Sequence, residues 1–220
     1  MGLDCVPLGA AKPEFRDEWE SIMNDLYRNP EISDQMQARL LEISIEPGET
    51  IGAPVVGRDP EADAWALQNK SADSDLPDAE FLEEHKGNRV FALLDLSDGI
   101  PNYSNAGAYD GIDRCSFRGS FLEDCEDIIG SDLLKKAWTD VMRPEDANDY
   151  GNQLLEAAEQ FRNSGERRQL SSGFLAKMFG RRKRAQIANM PDEEKLEVIE
   201  SAGKWYRYWG GRGHPIWAFY

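Results

Sequence analysis

Side chains able to do chemistry are few and scattered in this chain. Three cysteines (Cys5, Cys115, Cys125) and two histidines (His85, His214) stand among 41 acidic and 25 basic residues. A nucleophilic thiolate needs a depressed pKa and a base within reach. Cys115, close to a helix start, with His214 as its base is the pairing that would supply both, and no spacing in the sequence joins the two. His85, in "EEHKG", sits at the end of a charged helix and suits a solvated or dipole-facing place. The cysteines are odd in number and form no C-x-x-C pair, so neither a disulfide framework nor a zinc site is indicated. "DLSDG" and "DGID" lack the D-x-[DN]-x-[DN]-G sequence and distant Glu of a calcium loop, and there is no H-E-x-x-H pair. No metal and no cofactor are therefore expected. The G-x-x-x-x-G-K-[ST] phosphate loop and the G-x-S-x-G elbow are missing as well, which removes the common nucleotide and serine-hydrolase signatures.

The irregular stretch "SDGIPNYSNAGAYDGIDRCS", residues 97 to 116, is long for a loop inside a compact domain, and such loops are either functional or disordered. It presents Asn102, Tyr103, Ser104, Asp110, Asp113 and Arg114 beside a helix start. There Ser120 and Glu123 have the spacing of a capping box, and Gly119 allows close backbone approach. Arg114 and Arg118, facing the same way as unpaired backbone N–H groups, make this a candidate site for a carboxylate or phosphate, with His214 a possible contributor from the C-terminal turn. The competing expectation carries more weight: in so acidic a segment both arginines pair with Asp110, Asp113 or the run Glu123, Asp124, Glu126 and Asp127.

Charge is unevenly placed. Residues 1 to 163 hold 35 acids and 14 bases, a net of -21, whereas residues 164 to 220 hold 6 acids and 11 bases, a net of +5. An acidic body with a basic-to-aromatic C-terminal part argues against nucleic acid as a partner, because phosphate neutralisation needs a basic footprint. In "SSGFLAKMFGRRKRAQIANM", 171 to 190, an apolar stripe (Leu170, Phe174, Leu175, Met178, Phe179) runs beside basic residues. Lys177, Arg181, Arg182 and Arg184 are the candidates for partner binding on this segment. The simpler expectation is that they face solvent or the chain's own acidic body. The first residues carry Asp4 and no apolar run fit for a signal peptide, and no membrane span is expected anywhere. A soluble cytoplasmic protein fits these features.

The elements that must position these residues are mostly helical. Phe15, Trp19, Ile22, Met23 and Leu26 make one helical face, entered at Pro13 and ended by "RNP"; Met36, Leu40 and Ile43 make a second, and the two read as a hairpin. Asp59-Pro60 starts a helix, and Asp78 to Lys86 forms another, stopped by Gly87. "RVFALLDL", 89 to 96, is apolar on both faces and predicts an interior strand, with "TIGAPVV" and the closing "IWAFY" as its partners. Helices follow from Phe117 to a stop at Gly130, from Ser131 through Val141, and from Pro144 to "RNSG". A last helix begun by "PDEEK" turns Val198, Ile199, Ala202, Gly203, Trp205, Tyr206 and Trp209 inward and ends at Gly210 and Gly211. Arg212 and His214 then stand in a Gly-rich turn. The reading is a mainly α single domain over residues 1 to 220, with a small mixed or antiparallel sheet around residues 89 to 96, α+β being the alternative.

With catalytic signatures absent and charge segregated, the expected function is non-enzymatic: protein interaction or regulation. The alternative is a protein or enzyme that binds a small anionic ligand in a pocket at loop 97 to 116.

Overall fold

The computed structural model describes residues 3–29, 31, 33–72, 75–95, 114–171 and 190–219, and it is mainly α with a small antiparallel sheet. Strand β1 (Asp4–Pro7) is followed by the two-residue β2 (Ala10–Ala11), then helices α1 (Arg16–Arg28) and α2 (Asp34–Glu42), and β3 (Ser44–Ile45), which pairs with β2. Short α3 (Pro47–Thr50) leads to α4 (Pro60–Gln68) and α5 (Asp78–Glu84). Beyond them come β4 (Phe117–Arg118), α6 (Glu126–Ala137), β5 (Val141–Met142), the long α7 (Pro144–Ser171), α8 (Asp192–Gly210) and β6 (Ile216–Phe219).

Helix α8 is the element the core is built on. Asp192, Glu193 and Glu194 occupy its first turn, where the helix dipole favours anions. All seven residues expected on its inner face are buried, Ile199, Ala202, Tyr206 and Trp209 completely. Helix α7 lies antiparallel against it at a very short distance, because glycine faces backbone at the crossing. A Cβ on Gly151 would sit 2.6 Å from the Gly203 carbonyl oxygen and 2.8 Å from the Arg207 nitrogen; one on Gly210 would sit 2.5 Å from the Pro144 carbonyl oxygen. Tyr150 packs edge-on against Tyr206, with ring centroids 4.8 Å apart. The expected end of α7 at "RNSG" is not observed: the helix continues to Ser171.

The sheet has strand order β4-β1-β6-β5, so the first and last described strands pair at its centre, with Cys5 opposite Ala218 and Val6 opposite Trp217. Alternation then sorts the side chains. Cys5, Phe117, Ala218, Ile216 and Met142 face the α7–α8 core, while Val141 and Trp217 face the other way, onto the cluster of Trp19, Met23, Leu26, Leu40 and Ile43 under α1 and α2. The Trp19 indole N–H is shared between the Gly9 carbonyl and the Ser44 hydroxyl, both at 3.1 Å, which holds α1 to the β2–β3 pair.

Three expectations need correction. Over the described residues 89 to 95 the expected strand does not form: Arg89 makes an isolated antiparallel bridge with Val55, and Phe91–Leu93 is a 3-10 turn with Phe91 and Leu93 substantially exposed. The sheet is therefore not around 89 to 96; "IWAF" is a strand, but beside β1 and β5. The helix expected from Phe117 begins later, because Phe117 is held in register with Cys5, and Gly119–Cys125 is a 3-10 segment without a side-chain cap. Ser120 gives its N–H to the Leu3 carbonyl instead of closing a capping box. Gly130 does interrupt α6, at φ +79°, a conformation open to glycine and strained for other residues.

The α7–α8 crossing yields a stability prediction. Ala in place of Gly151 gains about 1 kcal/mol of helix propensity but meets backbone on the facing helix. We expect a net loss of about 2 kcal/mol in chemical denaturation, the overpacking term being the larger. Unchanged or raised stability of G151A would contradict the close approach.

Candidate functional site

A groove opens beside the outer face of the sheet. Its walls come from Pro7 at the end of β1 with Leu8 and Gly9 after it, Leu26 of α1, Gln37, Leu40 and Leu41 of α2, and Ser44, Glu46 and Pro47, with Trp217 of β6 at one end. Its volume is about 350 Å³, the size range of ligand pockets. Among the described residues, only two that line it are ionisable, Glu31 and Glu46, and both are acids.

Local sequence explains the walls. The Ser33 hydroxyl accepts the Met36 N–H at 3.3 Å and starts α2. The stripe Met36, Leu40, Ile43 turns inward, burying Leu40 and Ile43. Leu41, one residue on and about 100° round the helix, cannot share that stripe and stands 64% exposed at the rim. Arg39 clamps α2 to α1 through a bidentate contact with Glu18, at 2.8 and 2.7 Å, and that contact holds the Glu18 carboxyl below its ordinary value. At the far end Trp217 stacks on Phe219 with ring centroids 4.4 Å apart, and Phe219 is 44% exposed, so apolar surface continues from the groove across the sheet's outer face.

Of the residues singled out from the sequence, Arg114, Arg118 and His214 are among the described residues, and each has its own set of contacts. Arg118 is tied to Asp4 across β4 and β1, with Nε 3.0 Å from the carboxylate. Arg114 is buried; its guanidinium donates to the Asp95 carbonyl at 3.2 Å, and its own carbonyl receives both the Trp205 and Trp209 indole N–H groups, at 3.2 and 3.3 Å. Arg118 is thus paired with an acid, as the competing expectation held, though with Asp4 rather than with one of the acids named for it. Asn102, Tyr103, Ser104, Asp110 and Asp113 lie outside the described residues, as do Lys177, Arg181, Arg182 and Arg184.

His214 is a joint in the fold. It is fully buried, edge-on to Trp209, with Nδ1 2.7 Å from the Leu8 carbonyl and Nε2 2.8 Å from the Thr50 hydroxyl. A carbonyl only accepts, so Nδ1 carries the proton and Nε2 accepts from Thr50. Burial lowers its pKa, which favours the neutral ring. With both nitrogens engaged, His214 is not available as a base for Cys115. Burial also pushes the Cys5 thiol up to about 11 and the Cys125 thiol up to about 12. Among the described residues no group of His, Cys, Asp and Glu is arranged to hold a metal ion, and no helix is long and apolar enough to cross a membrane.

Sequence reasoning missed the groove. The signal for it was the Leu40-Leu41 doublet, of which a single stripe accommodates only one member. The cleft between α1 and the turn after α8, described below, had no local signal at all. Compared with family models, with curated proteins and with solved structures, the chain matches none.

Two predictions follow from the buried groups. A histidine with a lowered folded-state pKa takes up its proton more readily once unfolded, so stability falls as pH drops through the unfolded value of about 6.5. Between about pH 7 and pH 5 wild-type stability should therefore decline more steeply than that of His214→Gln, as read by urea melts; equal slopes would contradict a neutral buried ring. In native protein at about pH 8, iodoacetamide should leave Cys5 and Cys125 unmodified by mass spectrometry. Rapid modification of either would show an accessible thiolate.

Proposed function

We propose that this protein works by binding another protein, and that the groove beside α2 seats an apolar anchor of a partner segment flanked by lysine or arginine. The observation that carries the reading is Leu41, a large apolar side chain exposed at the rim of an apolar groove whose ionisable lining residues, among those described, are both acids. Isolated exposed leucines are ordinary, but one continuous with an apolar concavity and with the Trp217–Phe219 stack supports a recognition surface. The net charge of -21 over residues 1 to 163 favours a basic partner, because complementary potential raises the encounter rate and excludes acidic competitors. Pro7 and Pro47 and the β1–β6 pairing make the walls stiff, so a partner meets a preformed surface.

The reading is tested with a short fluorescent peptide carrying tryptophan and leucine between lysines, and with its counterpart bearing glutamates. Anisotropy should show salt-sensitive binding of the basic peptide alone, weakened at least about tenfold by Leu41→Asp, as for an anchor at a docking hot spot. Because Leu41 is exposed, that change leaves the core in place, which thermal melting checks. Equal binding of the two peptides, or no effect of L41D, would overturn the proposal.

A further inference from the structure

On the other side of α1, away from the groove, lies a second cleft of about 410 Å³. One face of α1 forms a wall, the start of α7 and the turn after α8 form the other, and Ala10 and Ala11 line its base. Three arginines line it: Arg16 from the first turn of α1, Arg143 immediately before α7, and Arg212 from the turn after α8. In this acidic protein arginines generally hold carboxylates, as Arg39, Arg58, Arg89, Arg118 and Arg162 do. The three in the cleft have no salt bridge to any described carboxylate.

Two of them are instead held in place by neutral groups. Arg143 lies over the Tyr27 ring, 4.2 Å from its centroid, and donates from Nη2 to Asn24 Oδ1 at 3.0 Å. Arg212 lies over Tyr208 at 3.6 Å and donates to the Tyr208 carbonyl at 3.1 Å. Stacking on aromatic faces orients a guanidinium while leaving its remaining N–H donors unused, which is the arrangement that recognises phosphate oxygens. Glu20 and Glu145 also line the cleft, so the five charged groups sum to one positive charge in a chain of net charge -16. The two carboxylates oppose every anion, so binding rests on the three arginines outweighing them, and a doubly charged head gains more from that net positive charge than a singly charged one.

We propose that this cleft binds a small organic phosphate, its dianionic head gripped by Arg16, Arg143 and Arg212 and its organic part against the α1 wall. The volume exceeds what a bare phosphate fills, and three guanidinium forks match a phosphate's oxygens better than a single carboxylate. The site is separate from the groove, and either can fail without the other.

The test uses the full chain in low-salt buffer, with inorganic pyrophosphate and adenosine monophosphate as probes and acetate as the monoanion control. Calorimetry should show saturable binding of at least one phosphate probe and none of acetate. The double variant Arg16→Gln, Arg212→Gln should weaken it at least about tenfold, consistent with loss of charge-assisted hydrogen bonds. Glu20→Gln should tighten it, a change of opposite sign that general loss of folding cannot produce. Arg28→Gln, whose arginine is exposed and outside the cleft, should leave it unchanged. Absence of binding by both phosphate probes, indifference to the double variant, or equal weakening by R28Q would overturn the proposal.

Discussion

The close approach of α7 and α8 is the constraint on which the rest of the molecule depends. With Gly151 facing the Gly203 carbonyl and Gly210 facing the Pro144 carbonyl, the two helix backbones nearly touch, and the large side chains of α8 are forced to either side of that line. Trp205 and Trp209 both go to one acceptor, the Arg114 carbonyl, and Tyr206 goes to Tyr150 and to the Cys5 sulfur, which its hydroxyl reaches at 3.3 Å. Because buried polar groups need partners, these contacts fix where the chain before β4 and the strand β1 must run. Fixing the end of α8 then fixes the turn at 211 to 213, the buried His214 and the strand β6.

Both candidate binding surfaces inherit their geometry from that end of α8. His214 bonds Leu8 and Thr50, and the Leu8 N–H bonds the Pro215 carbonyl at 2.7 Å, so the turn, the β1 exit and α3 are one unit. The groove takes Pro7, Leu8, Pro47 and Trp217 from it, and the cleft takes Arg212 and Gly213. Helix α1 separates the two, giving Leu26 to the groove and Arg16, Asn24 and Tyr27 to the cleft. One side of the helix pair under the sheet thus presents apolar surface with acids, and the other presents arginines.

The sequence makes α8 legible because all the information is local: seven residues at helical spacing, acids at one end and glycines at the other, and each of the seven is buried. The positions of α1, α2, α4 and α5 are legible for the same local reason, although α5 buries no residue fully. What the sequence does not carry is who meets whom. Gly203 reads as one more small residue on a stripe, and its role appears only with Gly151 opposite it on another helix. "RVFALLDL" satisfies every local criterion for a strand, yet among the described residues it has only the single bridge from Arg89 to Val55, whereas "DCVP", with a proline, becomes a central strand because β6 and β4 flank it. Of the expected site, Arg118 and His214 are visible in the sequence as polar groups near aromatics, yet their contacts, Asp4, Leu8 and Thr50, come from the other end of the chain. The arginine cleft is the extreme case, since its three arginines belong to three separate elements.

The central claim about function is that the face carrying Leu41, the groove and Trp217 is where a partner docks. Backbone amide chemical-shift mapping of the full chain, titrated with the lysine-flanked apolar peptide, tests it most directly. The account predicts shifts concentrated on residues 8 and 9, 40 to 46 and 217 to 219, with the amides of Arg16, Arg143 and Arg212 undisturbed. Shifts clustered elsewhere, or spread evenly over the acidic surface, would contradict it.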